Sequence, residues 1–308
     1  MKEFIRTIII FILGSLVFIC IPIHLLSEYD NIDKNTSLNH NIIRLQTKSY
    51  YDSLDILFVG NSYCYSSMNT EYLDSLNIRS FNLGIATAGV QFYDLILNDY
   101  FKNTLSPPKT VLLLVSPMTF SSKSDNFTDN PIHRYLENEK SNFEICIKFN
   151  RLDELISMYR RSTKKGLSNI LFKKEVNYKN KHSNNKGFLP NSLVVTSEII
   201  SNDEILYLSL KDDLFIESNV EDLLQIANSI KKKGSEVVFF ELPTNLLYKY
   251  FSINYLNDYK KSLVTISDNY ELISIDQDLF SSKNYRNIDH MNSSGAKIAT
   301  KQVMKLLE

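Results

Sequence analysis

The sequence predicts an α/β fold, a three-layer sandwich with a mostly parallel sheet between helices. Short, continuously apolar runs of strand length recur within residues 54–118 and 220–308. Segments with the apolar spacing of amphipathic helices lie between these runs. Because strands that are apolar at every position are buried on both faces, this alternation indicates a parallel sheet that helices cover on both sides.

The first half of this pattern runs strand, helix, strand, helix, strand. Strands are predicted at 54–59 and 110–115, which are apolar runs closed by Gly60 and by Ser116-Pro117, and at 79–84, a short segment that ends at a Gly turn. Helices are predicted at 66–76 and 90–101, where large apolar residues recur every three or four positions. This order makes all three strands parallel neighbours in one sheet.

The alternation resumes near the C-terminus. The predicted elements are helices at 221–233, 256–267 and 293–307 and strands at 236–242 and 272–275. Gly234 is expected to end the first of these helices, and Ser293 or Ser294 is expected to cap the last.

A long insertion at about 120–219 interrupts the alternation. It is rich in Lys, Asn and Ser, which is typical of a solvated surface loop. A basic patch that faces anionic glycan or phospholipid is the alternative interpretation. Because open α/β sheets bind ligands at the carboxyl ends of their strands, the insertion could also cover such a site.

The N-terminal region predicts a membrane anchor. Residues 7–26 form an apolar run of about 20 residues, long enough for a helix to cross roughly 30 Å of hydrocarbon. Lys2 and Arg6 precede it and several acids follow it, so the N-terminus is expected in the cytoplasm and the remainder outside. A cleaved signal peptide and a buried core helix are the alternatives. The predicted organisation is therefore 1–26 cytoplasmic tip and anchor, 27–53 stalk, and 54–308 the folded domain.

Composition excludes several classes of protein. The 308 residues carry a formal net charge of −1, which gives no electrostatic basis for binding nucleic acid. Three Cys are too few for a disulfide scaffold, and no residue cluster has metal-ligand spacing, so no cofactor is expected.

Cys64 could be a nucleophile or, more simply, a small packing residue. A disulfide between Cys64 and Cys146 stays open at this level.

Two residues far apart in the chain suggest acyl-transfer chemistry. Ser62 directly follows the first strand, at a turn where a hydroxyl would be exposed and the next helix could stabilise an oxyanion. The alternative is that Ser62 only caps this helix. His290 lies just before the last helix and could act as a base, since all parallel strands open on one edge.

Three motifs lie at the ends of predicted strands or just before the last helix: Phe58-Val59-Gly60-Asn61-Ser62, Asn82-Leu83-Gly84, and Asp289-His290-Met291-Asn292 followed by Gly295-Ala296. Together they resemble the SGNH/GDSL hydrolase superfamily, in particular its membrane-anchored branch that modifies cell-envelope polysaccharide and teichoic acid. The resemblance implies a flavodoxin-like sheet, with Ser62 as nucleophile and His290 as general base. It also implies an oxyanion hole that includes the N–H groups of Ser62 and Gly84.

The chain departs from the family pattern at two places. The family usually has Asp three residues before the catalytic His, where this chain has Asn287. Either Asp289 or the Asn287 amide could orient His290 instead. The family's oxyanion-hole Asn is replaced at the end of the third strand by Ser116, and Asn245 is a second candidate for this donor.

The resemblance implies a membrane-anchored serine esterase or O-acyltransferase that acts on extracytoplasmic envelope glycan through an acyl-serine intermediate. The expected partners are the glycan or acyl-ester substrate, the membrane and a membrane acyltransferase. The alternatives are a catalytically degenerate glycan-binding or assembly subunit and, less simply, an enzyme that faces the cytoplasm.

Overall fold

The computed structural model describes Arg6 and residues 53–85, 88–123, 186–188, 190–196, 199–200, 207–244 and 246–307. Apart from Arg6, all of these residues belong to one compact unit. The predicted anchor at 7–26, nearly all of the stalk and much of the insertion lie outside the described residues. Within the described residues, no helix combines the length and the apolar character that crossing a bilayer requires.

A five-stranded, all-parallel sheet forms the centre of this unit. Its strands are β1 Ile56–Val59, β2 Ser80–Asn82, β3 Thr110–Val115, β4 Glu236–Glu241 and β5 Glu271–Ser274. The spatial order is β2-β1-β3-β4-β5. β2 therefore lies on one side of β1, and β3, β4 and β5 follow one another on its other side. The predicted strands and their parallel arrangement are confirmed.

Burial on both faces explains why the central strands β1 and β3 are apolar almost throughout. All four residues of β1 are buried, and so are five of the six residues of β3. Successive side chains of a strand point to opposite faces, so both faces of the sheet must be covered. One of these faces carries a core of Phe58, Leu112, Leu114 and Phe240, to which the C-terminal helix adds Val303.

The helices of the described part are α1 Ser62–Ser67, α2 Thr70–Asp74, α3 Val90–Asn103, α4 Ser218–Lys232, α5 Ile253–Ser267 and α6 Ser293–Leu307. The four long helices were predicted and are confirmed. The predicted single helix at 66–76 is wrong, because two short helices occupy 62–74. Met68 is extended and fully buried between them, and the Asn69 side chain accepts the Tyr72 N–H to start α2.

Asn292 caps α6, which corrects the assignment of this role to Ser293 or Ser294. Its Oδ1 accepts the N–H groups of Ser294 and Gly295 at 3.0 and 3.1 Å. Its Nδ2 donates to the carbonyl oxygens of Lys283 at 2.7 Å and Leu193 at 3.1 Å. One side chain therefore joins the start of α6 to the loop before it and to a segment of the insertion.

Asn82, the last residue of β2, holds α1 against the sheet. Its side chain is fully buried. Nδ2 donates to the carbonyl oxygens of Cys64 and Met68, both at 2.9 Å, and Oδ1 accepts the Gly84 N–H at 2.8 Å. Because a helix of six residues has little stability of its own, these tertiary bonds determine where α1 lies.

We predict that Asn82→Ala lowers the free energy of unfolding by about 2 kcal/mol, because it removes the side-chain donor to the buried Met68 carbonyl together with the bonds to Cys64 and Gly84. The chain contains no Trp, so far-UV circular dichroism of denaturant unfolding is the suitable measurement. Asn257→Ala, an exposed Asn on α5, is the control and should change stability by less than about 0.5 kcal/mol. Equal effects of the two substitutions would contradict this role for Asn82.

Candidate active site

Ser62 lies at the carboxyl edge of the sheet, where β1 passes into α1. The turn is tight: a Cβ atom on Gly60 would lie 2.7 Å from the Cβ atoms of both Cys64 and Leu114. Asn61 caps α1 by accepting the Tyr63 N–H at 3.0 Å. Ser62 is therefore the first helical residue and not the cap. Its half-buried hydroxyl makes no hydrogen bond within the described part of the chain.

This position is also the point at which the strand order reverses. The chain runs from β1 to β2 on one side and then to β3 on the other side of β1. In open α/β sheets, ligands bind in the crevice that such a reversal leaves outside the carboxyl ends of the strands. Ser62 follows β1 and Ser116 follows β3, so both residues border this crevice.

A closed loop brings His290 to α1. Tyr285 and Met291 form an antiparallel bridge, and the Arg286 N–H donates to the His290 carbonyl oxygen at 3.0 Å. The imidazole ring of His290 lies 5.2 Å, centroid to centroid, from the ring of Tyr63, the residue after Ser62. The two predicted catalytic residues therefore lie on neighbouring segments. The Nε2 atom of His290 is buried and has no hydrogen-bond partner among the residues that the structure describes, so no bond joins it to the Ser62 hydroxyl.

Both candidates for orienting His290 lie beside its Nδ1 atom. Asn287 Oδ1 accepts the His290 backbone N–H at 2.8 Å and lies 3.2 Å from Nδ1. Because a backbone N–H can only donate, the amide atom that faces His290 must be the oxygen. Asp289 Oδ1 lies 2.5 Å from Nδ1 as an ion-pair contact, although off the line of a hydrogen bond. Two acceptors at Nδ1 favour the tautomer with the proton there, which leaves Nε2 as the basic nitrogen.

Asp289 is a buried carboxylate with three neighbours that favour its charge. The hydroxyl of Tyr207 donates to Oδ2 at 2.5 Å. Burial by itself raises the pKa of Asp289, but the neighbouring His290 and hydrogen bonds from Tyr207 and Tyr63 outweigh it, so the pKa is lowered. Burial and the Asp289 charge raise the pKa of Tyr63 well above its ordinary value, which keeps its phenol protonated.

Sequence reasoning missed Tyr207. It belongs to the insertion and precedes a short 3₁₀ helix, Leu208–Asp212, with no motif around it. Its contact with Asp289 joins residues 82 positions apart in the chain. No local pattern of residues indicates such a contact, so only the folded chain reveals it.

The three groups predicted to donate hydrogen bonds to an oxyanion differ in whether they already have hydrogen-bond partners in this structure. The Ser62 N–H lies at the first position of α1, where no carbonyl of the helix can accept it. The Gly84 N–H instead donates to Asn82 Oδ1, and the Ser116 hydroxyl lies fully buried, 3.2 Å from the Thr119 hydroxyl. A role for Gly84 or Ser116 would require these bonds to open. Asn245 lies outside the described residues.

Cys64 has the surroundings of a packing residue. It is fully buried and free, and burial raises the pKa of its thiol well above the ordinary value. Because the thiolate is the reactive form, such a thiol is a poor nucleophile. The free thiol also excludes the disulfide with Cys146, a residue outside the described part.

Comparisons with known proteins add little to this geometry. No protein-family model and no curated protein matches the chain. Among solved structures, "The structure of a putative platelet activating factor from Streptococcus pneumonia" is similar over 88% of this chain and 94% of that chain. The two chains are 14% identical and the TM-score is 0.39, a likeness that carries no argument about fold or function.

The lowered pKa of Asp289 predicts a pH-dependent stability. A carboxyl whose pKa in the folded chain lies below the ordinary 3.8 stabilises the fold above that pH, and this contribution is lost as the pH falls through the folded-state pKa. The melting temperature of the full chain should therefore exceed that of Asp289→Asn by a constant amount from about pH 6 to pH 5, and the difference should shrink below about pH 4. Circular dichroism at several pH values measures this difference. A difference that persists unchanged at about pH 2 would contradict the assignment.

Proposed function

We propose that the protein is a membrane-anchored serine esterase or O-acyltransferase of the SGNH type, acting on extracytoplasmic envelope glycan. One observation carries the proposal. Ser62 lies where β1 passes into α1, and the next residue, Tyr63, packs against His290, whose Nδ1 faces Asp289 and Asn287 and whose Nε2 has no hydrogen-bond partner in the described part of the chain. These groups are the ones that an acyl-transfer site needs, in neighbouring positions.

In the first half-reaction, the Ser62 oxygen attacks the carbonyl carbon of an acyl ester. Nε2 of His290 takes the hydroxyl proton as the new C–O bond forms, and Asp289 stabilises the resulting imidazolium. His290 then gives this proton to the departing alcohol, and the acyl group stays on Ser62. For this step the imidazole must close the gap to the Ser62 hydroxyl, as catalytic hydrogen bonds often do when substrate binds.

In the second half-reaction, His290 removes a proton from water or from a sugar hydroxyl, whose oxygen attacks the acyl-serine. The acyl–Ser62 bond then breaks, and His290 returns the proton to the Ser62 oxygen. Water gives a free acid, and the sugar gives a new ester. The Ser62 N–H would be the first oxyanion donor, since within the described residues no carbonyl is bonded to it, and the Gly84 N–H would join it only if its bond to Asn82 opened. The choice between the two acceptors depends on how well the covering segments exclude water.

The further parts of the proposal concern architecture and location. The order β2-β1-β3-β4-β5 is the flavodoxin-like order of doubly wound sheets, which supports assignment to an SGNH-type three-layer sandwich. The apolar run at 7–26 with its flanking charges supports a single-pass anchor and an external catalytic domain. The glycan substrate and a membrane acyltransferase partner rest on the motif resemblance.

We predict that a fluorophosphonate probe labels the full chain at Ser62. Ser62→Ala should abolish labelling and ester hydrolysis, and His290→Ala should slow both by about 10²–10⁴-fold because the base is lost. Ser267→Ala, which removes an exposed hydroxyl at the end of α5, should leave both unchanged. In-gel fluorescence and release of acetate from an aryl acetate measure the two activities. Labelling that survives Ser62→Ala would reject this serine as nucleophile.

A second candidate function is a catalytically degenerate, glycan-binding or assembly subunit. The observations that favour it are the occupied Gly84 N–H, the buried Ser116 hydroxyl and the absence of a bond from His290 Nε2 to Ser62. It predicts that wild type and Ser62→Ala bind purified envelope glycan equally well and that neither is labelled or hydrolyses esters. Calorimetric titration with the glycan measures the binding, and the labelling and hydrolysis assays on the same two proteins separate the two functions.

A further inference from the structure

The insertion contributes a side chain to the proposed active site. Tyr207 lies near its C-terminal end, and its hydroxyl donates to Asp289 Oδ2 at 2.5 Å. The other carboxylate oxygen of Asp289 lies 2.5 Å from His290 Nδ1. The Tyr207 phenol, the Asp289 carboxylate and the His290 imidazole therefore contact one another in sequence, and the Nε2 atom lies on the far side of the imidazole.

We propose that Tyr207 is a positioning residue for the base, holding the Asp289 carboxylate in the orientation that faces Nδ1 of His290. This inference rests on the proposed function, because it assigns Tyr207 a part in the same site. It also explains how the chain can work with Asn287 where related sequences have Asp.

The physical argument concerns a carboxylate that immediately precedes the histidine it serves. Adjacent side chains on a loop have no fixed mutual orientation, so the Asp289 carboxyl needs a further partner to hold it against the ring. Tyr207 provides that partner from a segment 82 positions away in the chain. A hydrogen bond to a charged acceptor is about twice as strong as a neutral one, which suits a positioning contact.

The groups that face Asp289 come from three segments. His290 belongs to the same loop, Tyr63 comes from α1, and Tyr207 comes from the insertion. All three lower the pKa of Asp289 against the effect of burial. Tyr207 lies outside both α1 and the histidine loop, so its hydroxyl can be removed without a substitution in either segment.

A double-mutant cycle tests the proposal with the full chain and a fluorophosphonate probe. Tyr207→Phe should lower the rate constant of Ser62 labelling about tenfold, the size expected for a hydrogen bond to a charged group. Asp289→Ala should lower it further. Adding Tyr207→Phe to Asp289→Ala should change the rate by less than about twofold, because the phenol acts through a carboxylate that is then absent. If the fold-decreases in the labelling rate of the two single variants multiply in the double variant, the proposal is overturned.

A second measurement does not depend on catalysis. In the Ser62→Ala background, the carboxyl ¹³C signal of Asp289 is followed by NMR against pH. Tyr207→Phe should raise the pKa of Asp289, since a hydrogen bond to its charged form is lost. Tyr270→Phe, which removes the hydroxyl of a phenol bonded to exposed Asn228, should leave that pKa unchanged. A pKa of Asp289 that does not move in Tyr207→Phe would refute the contact.

The two measurements separate the two ways to fail. If wild type is not labelled at all, the proposed function falls and the role of Tyr207 in positioning a base falls with it. If wild type is labelled but Tyr207→Phe has neither effect, only the inference about Tyr207 is overturned. Circular dichroism of each variant checks that the fold is retained.

Discussion

The position of α1 depends on one buried amide. Asn82 donates to two carbonyl oxygens, one within α1 and one just beyond its end, and it also accepts the Gly84 N–H after β2. No apolar residue could occupy this place without leaving buried polar groups unpaired. The geometry of Ser62, at the other end of the same short helix, is therefore set by a residue of a neighbouring strand. The same amide binds one of the N–H groups that the motif resemblance assigns to catalysis.

The insertion is connected to this region by hydrogen bonds. The Asn82 N–H donates to the Lys186 carbonyl oxygen at 2.9 Å, and the Val195 N–H donates to the Tyr285 carbonyl oxygen at 2.8 Å. A Cβ atom on Gly187 would lie 1.8 Å from the Asn82 carbonyl oxygen, and its φ of +88° also favours glycine. The segments of the insertion at 186–188 and 190–196 are thus bonded to the end of β2 and to the loop that carries His290.

Electrostatics at the histidine follow from burial. A carboxylate that is almost fully buried is costly unless hydrogen bonds and an opposite charge compensate it. Asp289 has the Tyr207 hydroxyl on one oxygen and the imidazole of His290 beside the other. The contact of Asp289 with Nδ1 of His290 both stabilises the buried carboxylate and leaves Nε2 on the side of the ring that faces away from it. The substitution of Asn at position 287 therefore does not remove the negative charge from the site.

Much of this structure could be predicted from the sequence by itself. Continuous apolar strands and amphipathic helices predicted the α/β class. A strand buried on both faces is apolar throughout, and a helix buried on one face has apolar residues every three or four positions, so both patterns can be recognised within a short segment of sequence. The positions of Ser62 and His290 at strand and helix ends were predicted for the same reason. The break at Met68, the capping by Asn292, the partners of Gly84 and Ser116 and the contact of Tyr207 with Asp289 were not predicted. Each of these is decided by hydrogen bonds between residues distant in the chain or by close packing, and such contacts exist only once the tertiary structure has formed.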